Sequence, residues 1–124
     1  MVNKNWTYAV VGVSADPEKY GHKVFKDLTS AGWSVFPINP HETEILGHKV
    51  YAKISDINKK IDVAIFVVPP KVTLEVLKEI NGLGIKNAWL QPGSESNEVI
   101  EYCKNNKINY IQDACIMVER GKNG

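Results

Sequence analysis

The chain is expected to form an α/β domain with a three-layer, doubly wound, mostly parallel sheet. Short apolar runs rich in Val and Ile recur along its 124 residues, at 8–13, 33–38, 63–68, 85–90 and 108–111. Runs of this length, without strict polar alternation, suit strands buried on both faces. Amphipathic helical stretches separate most of them, and Gly or Pro closes the carboxyl end of several. Strands alternating with helices at this spacing call for right-handed crossovers, which wind helices onto both faces.

The first strand, 7–13, runs into Gly12 and a small-residue loop, with a helix expected to begin near Gly21. In His22–Ala31 the stripe Val24, Phe25, Leu28 and Ala31 marks a face laid on the sheet, and Gly32 is a stop signal. Trp33–Ile38 is the second strand, ended by Asn39-Pro40-His41. No helix of useful length follows; Gly47 leads to a short strand over His48–Ala52, and Ser55–Asn58 resembles one helical turn. Val63–Val68 is the strongest strand signal, and Pro69-Pro70 ends it because proline cannot donate to a ladder. Proline suits a first helical turn, and Val72, Val76, Leu77 and Ile80 then form a stripe to about Asn81. Ile85–Leu90 is the next strand, closed by Gln91-Pro92-Gly93. Ser94 or Ser96 caps a third helix with Val99, Ile100 and Cys103 on its core face, and Asn106 stops it. Ile108–Ile111 is the last main strand, and Ala114–Arg120 is a tail that docks back as one more short element.

Composition narrows the function. Hydrophobic residues at 44% and charged residues at 23% describe one packed, soluble domain spanning 1–124. A net charge of +1 disfavours nucleic acid and anionic membrane as partners, since both call for a basic surface. No run is long enough for a membrane span, the amino terminus does not read as a signal peptide, and Cys103 and Cys115 make neither a disulfide scaffold nor a metal motif. A cytoplasmic, reducing location is expected.

In doubly wound sheets a ligand sits beyond the strands' carboxyl ends, where the winding reverses. That point is expected between strands 7–13 and 62–68, gathering Gly12–Asp16, Asn39-Pro40, Val68-Pro69-Pro70 and Gln91-Pro92-Gly93. Gly12 would let backbone approach a phosphate, and the helix after it would turn its positive end towards the loop. A side chain at Gly12 is accordingly expected to intrude on the ligand, with only a modest loss of stability. The loop is not a dinucleotide fingerprint: Ser14 stands at the second glycine position, and Asn39-Pro40 stands where an acid would hold a ribose diol. Both departures weaken NAD as the ligand. A rigid, apolar cleft bordered by a phosphate loop suits an adenine-bearing ligand with a long tail. His22, His41 and His48 have no catalytic partner at motif spacing and read as surface or loop histidines. Cys115, near Asp113, reads first as a small buried residue, with a reactive thiol as the other reading.

The segments VVGVSADP at 10–17, VFPINP at 35–40, ILGHKVY at 45–51, IDVAIFVVPP at 61–70 and AWLQPG at 88–93 follow one another in order. Together they resemble the CoA-binding domain family, small proteins similar to the amino-terminal domain of the succinyl-CoA synthetase α subunit. The resemblance runs from Trp6 to about Val118 and implies a Rossmann-like fold with coenzyme A at the switch point. It assigns Gly12, Val13 and Ser14 to the pyrophosphate, and Asn39 and Pro40 to the adenosine side. Val68, Pro69 and Pro70 would form the opposite wall, with Gln91 and Gly93 on the same rim. Lys23 and Lys71 are the candidates for the 3′-phosphate. Alanine at 114 replaces the basic residue that the family often carries before its cysteine. The resemblance implies CoA or acyl-CoA binding without catalysis, with a homodimer or a synthetase subunit as protein partner. Trp6, Trp33 and Trp89 would serve a dimer surface where exposed. The alternatives are an NAD(H)-binding sensor or oxidoreductase domain, and a detached subunit of an NDP-forming acyl-CoA synthetase.

Overall fold

The computed structural model describes residues 1–122. In chain order its elements are β1 (Thr7–Val11), α1 (Tyr20–Ser30), β2 (Ser34–Ile38), β3 (Glu44–Ile45), β4 (His48–Lys49), a 3-10 turn (Ile54–Asp56) and β5 (Val63–Phe66). There follow α2 (Pro70–Gly82), β6 (Asn87–Leu90), α3 (Asn97–Asn105), β7 (Asn109–Ile111) and α4 (Ile116–Lys122). Five parallel strands form the main sheet in the order β2-β1-β5-β6-β7, so the winding reverses between β1 and β5. This is the expected Rossmann-like architecture, with the reversal where the helix–strand order put it.

Because neighbouring side chains on a strand point to opposite faces, each central strand feeds two cores. Tyr8, Val10, Val63, Ile65 and Trp89 pack with Val24, Phe25 and Leu28 of α1 and Ile116 of α4. Ala9, Val11, Ala64, Phe66, Ala88 and Leu90 pack with Leu77 and Ile80 of α2 and Val99 and Cys103 of α3. The tail does dock back: Arg120 grips Asp27 on α1 with Nε–Oδ2 at 2.7 Å and Nη2–Oδ1 at 3.2 Å.

Several local expectations are corrected. The strand expected over 48–52 shrinks to His48–Lys49, paired antiparallel with Glu44–Ile45, while Tyr51 bridges Ile38 in parallel. On α2, Val72 is 37% exposed and Thr73 is fully buried in its place, because packing against the sheet sets the helix phase. Ala31 is exposed, beyond the end of α1. Ser96, not Ser94, caps α3, its Oγ accepting from the Val99 amide; Ser94 is buried and donates to the Gln91 carbonyl. None of the tryptophans is exposed: Trp89 is buried, and Trp6 and Trp33 are half-buried.

Gly12 has φ +102°, and the space beside it is filled by protein. A Cβ there would overlap the Val67 carbonyl oxygen and lie 2.6 Å from Val68 Cγ1. On its other side, a Cβ on Gly21 would overlap the Gly12 carbonyl oxygen. The glycine expected to spare the ligand therefore spares the fold: β1, β5 and α1 meet here backbone to backbone. Gly12→Ala is expected to lower the unfolding free energy by on the order of 3 kcal/mol, from left-handed strain and overpacking together. Gly21→Ala should also destabilise, by about 1–2 kcal/mol, because the clash outweighs its better helix propensity. Urea denaturation of both variants checks this, and wild-type midpoints would overturn it.

Candidate functional site

The rim above the β1/β5 reversal is built from strand ends that sheet order makes neighbours. Gly12 donates its N–H to the Ile38 carbonyl at 3.0 Å, tying the β1 exit to the end of β2. Asn39, the next residue after β2, donates from Nδ2 to the Val13 carbonyl at 2.7 Å. Its Oδ1 accepts from the His41 amide at 2.8 Å, so both ends of the side-chain amide are engaged. Ser14 Oγ accepts from the Asp16 amide and Asp16 Oδ1 from the Glu18 amide, which winds the loop into α1. The backbone amides of Val13, Ser14 and Ala15 find no acceptor among the described residues. Successive unpaired amides at a helix entrance form an anion-binding concavity.

Helix ends reinforce that polarity. Neither α1 nor α2 has a side-chain cap or an acidic residue in its first turn. In contrast α3 is capped by Ser96 and carries Glu98 in its first turn. The positive dipole ends left open are thus those flanking the reversal. Lys23, one turn into α1, and Lys71, at the start of α2, are both exposed, and neither forms an ion pair among the described residues.

The remaining expected site residues divide by where their side chains go. Val13 is fully buried in the α1-side core, leaving only its backbone at the rim. Val68 and Pro70 are half-buried and Pro69 exposed at the entry to α2. Pro40 and Gly93 are exposed, the latter with φ +97°. Gln91 is fully buried: its Oε1 accepts from the Ile116 amide at 2.7 Å, so its side chain anchors α4.

Sequence reasoning passed over His22 and Tyr20. Read as a surface or loop residue, His22 is only 6% exposed, and its Nδ1 lies 2.8 Å from the Ser14 carbonyl oxygen. A usable signal was its place three residues before Phe25, on the same helical face. Cys115 is half-buried rather than buried, with Sγ 2.7 Å from the Tyr20 hydroxyl and 3.5 Å from Gln91 Nε2. No local pattern links Tyr20 to Cys115; only the docking of α4 on α1 does.

Burial pushes the Cys115 thiol up, but hydrogen bonds from Tyr20, Gln91 and the Met117 and Val118 amides outweigh it and hold the group below its usual value. Tyr20 is pushed up to about 12, by burial first and then by the sulfur. Cys103, buried under α3, is pushed up to about 11 by burial alone. Since the thiolate is the nucleophile, Cys115 should react with iodoacetamide at lower pH than an ordinary thiol. Removing the hydroxyl by Tyr20→Phe takes away a bond that favours the thiolate, so the pH midpoint of alkylation should rise. An unchanged midpoint in that variant would refute Tyr20's part, and rapid native-state alkylation of Cys103 would contradict its burial.

The family model described as a CoA binding domain matches residues 6–121. An acetate–CoA ligase (ADP-forming) of Methanocaldococcus jannaschii is 37% identical over 103 residues, covering 83% of this chain but 14% of its own length. The uncharacterized protein YneT of Bacillus subtilis is 30% identical over 110 residues, covering 89% of this chain and 82% of YneT. Among solved structures, a conserved hypothetical protein from Pyrococcus furiosus superimposes with a TM-score of 0.89 at 45% identity, covering 92% of this chain and 98% of that one. The chain therefore spans less than a fifth of the ligase it matches and most of the smaller relatives.

Proposed function

The chain belongs to the CoA-binding domain family, and on that premise we propose that it binds coenzyme A, free or acylated, at the β1/β5 reversal. The observation that carries this is the run of unpaired amides at Val13, Ser14 and Ala15 beside the uncapped end of α1. Gly12, whose own N–H is taken by the Ile38 carbonyl, turns the chain so that the Val13 and Ser14 amides hold the pyrophosphate, aided by the Ser14 hydroxyl. Pro40 lines the adenosine side, positioned by Asn39, while Val68, Pro69 and Pro70 wall the opposite side and Gly93 borders the tail. Lys23 or Lys71 meets the 3′-phosphate. NAD is disfavoured because β2 is followed by Asn39-Pro40, where a carboxylate would hold a ribose diol.

The chain acts as a single-domain, cytoplasmic binding module without chemistry of its own. A second reading, favoured by the similarity to an acetate–CoA ligase, makes it one piece of an acyl-CoA synthetase whose other subunit supplies nucleotide chemistry. Co-purification of an ATP-grasp subunit from the source cell would select that reading.

Calorimetric titration with CoA, acetyl-CoA, dephospho-CoA, NAD and ATP is the deciding experiment. CoA is expected to bind in the micromolar range, and dephospho-CoA about tenfold more weakly through loss of one charge-assisted contact. That difference should vanish in Lys23→Ala or in Lys71→Ala, whichever lysine makes the contact. Tight NAD binding with no CoA binding would overturn the proposal.

A further inference from the structure

Two consecutive carbonyls in the β1–α1 loop are held by side chains from outside it. The Val13 carbonyl accepts from Asn39 Nδ2 at 2.7 Å, and the Ser14 carbonyl accepts from His22 Nδ1 at 2.8 Å. A trans, planar peptide sets its N–H opposite to its C=O, and no peptide bond in the described chain is cis. Holding those carbonyls inward therefore turns the Ser14 and Ala15 N–H groups the other way. These are among the amides left without an acceptor.

Resting on the coenzyme A reading above, we infer that His22 and Asn39 are positioning residues that orient the phosphate cradle without touching the ligand. Both are already fixed for the task. Asn39 cannot turn its amide over without losing the His41 N–H on Oδ1. His22 is buried in the first turn of α1, and its Nδ1 must carry a proton to reach a carbonyl, as it can whether the ring is neutral or charged. Left to itself, the sequence Val13-Ser14-Ala15 has no proline to restrict the orientation of these peptide planes. The clamps make that selection before ligand arrives, and preorganisation of this kind raises affinity by removing the ordering step from binding.

The experiment compares Asn39→Asp, His22→Leu and His22→Asn with the wild-type protein. Each is characterised by thermal melting, by the amide 1H–15N resonances of Ser14 and Ala15 without ligand, and by calorimetric titration with CoA. Asn39→Asp keeps the acceptor for His41 but sets an oxygen against the Val13 carbonyl. His22→Leu keeps apolar bulk and removes the donor, whereas Asn in place of His22 offers a side-chain N–H near the position of Nδ1. Asn39→Asp and His22→Leu should weaken CoA binding at least tenfold and displace the Ser14 and Ala15 resonances, and His22→Asn should recover most of both losses. Wild-type affinity and unmoved resonances in folded Asn39→Asp and His22→Leu would overturn the inference while leaving the coenzyme A reading intact. Equal losses in His22→Asn and His22→Leu would overturn the His22 half, showing that packing and not the donor matters. If His22→Leu does not fold, Asn39→Asp and His22→Asn decide the matter on the same readouts. Absence of CoA binding by the wild-type protein would sink the reading beneath, and the resonances would still report whether the clamp exists.

Discussion

Everything at the rim depends on the close approach of backbone at Gly12 and Gly21. The end of β1 passes between the end of β5 and the first turn of α1 with no room for a side chain on either side. That contact fixes how near α1 comes to the sheet and where its open end points. The left-handed φ of Gly12 then turns the chain out of the sheet, and Gly12 N–H still finds the Ile38 carbonyl of the neighbouring strand. A larger residue at Gly21 would push α1 away and separate the loop amides from the helix end they accompany, and one at Gly12 would drive the β1 exit from the end of β5. The loop proposed to hold phosphate owes its shape to tight packing between elements.

The polar groups around the rim sort into those used by the protein and those left over. Asn39, His22 and Gln91 are engaged internally, on the Val13 and Ser14 carbonyls and the Ile116 amide respectively. Among the groups left over are several of positive character: loop amides, two uncapped helix ends, and exposed lysines on α1 and α2. Where no anion is wanted the protein closes the helix end, as Ser96 and Glu98 do on α3. Buried polar side chains here serve to hold backbone, and it is backbone that the rim leaves free to donate. Such a design tolerates a net charge near zero, because the attraction is local and short-ranged.

Tyr20 and Cys115 add a different chemistry to the same end of the sheet. Their meeting requires α4 to fold back on α1, which the Arg120–Asp27 pair and the buried Gln91 side chain both support. The contrast between the two cysteines follows from surroundings alone. Burial alone disfavours the charged form of Cys103, whereas hydrogen-bond donors around Cys115 more than offset its burial.

The sequence by itself determined the five strands of the main sheet, their parallel winding and the place where the winding reverses. Buried parallel strands must be continuous apolar runs, and handed crossovers leave few ways to order them. The residues that end those strands, Gly12, Asn39-Pro40, Pro69-Pro70 and Gln91-Pro92-Gly93, were legible for the same reason: turn chemistry is local. What only the tertiary structure decided is the direction in which each side chain is used. Gly12 and Gly21 face protein, His22 and Gln91 turn inward, Val72 turns outward, and Ser96 caps where Ser94 is buried. Apart from the two serines, whose partners are local, each depends on a more distant partner, 8 residues away for His22 and 25 for Gln91, or on the rotation of a helix against the sheet. Periodicity along one segment carries no information about the neighbour that segment will meet, and that neighbour decides whether a polar group binds ligand or backbone.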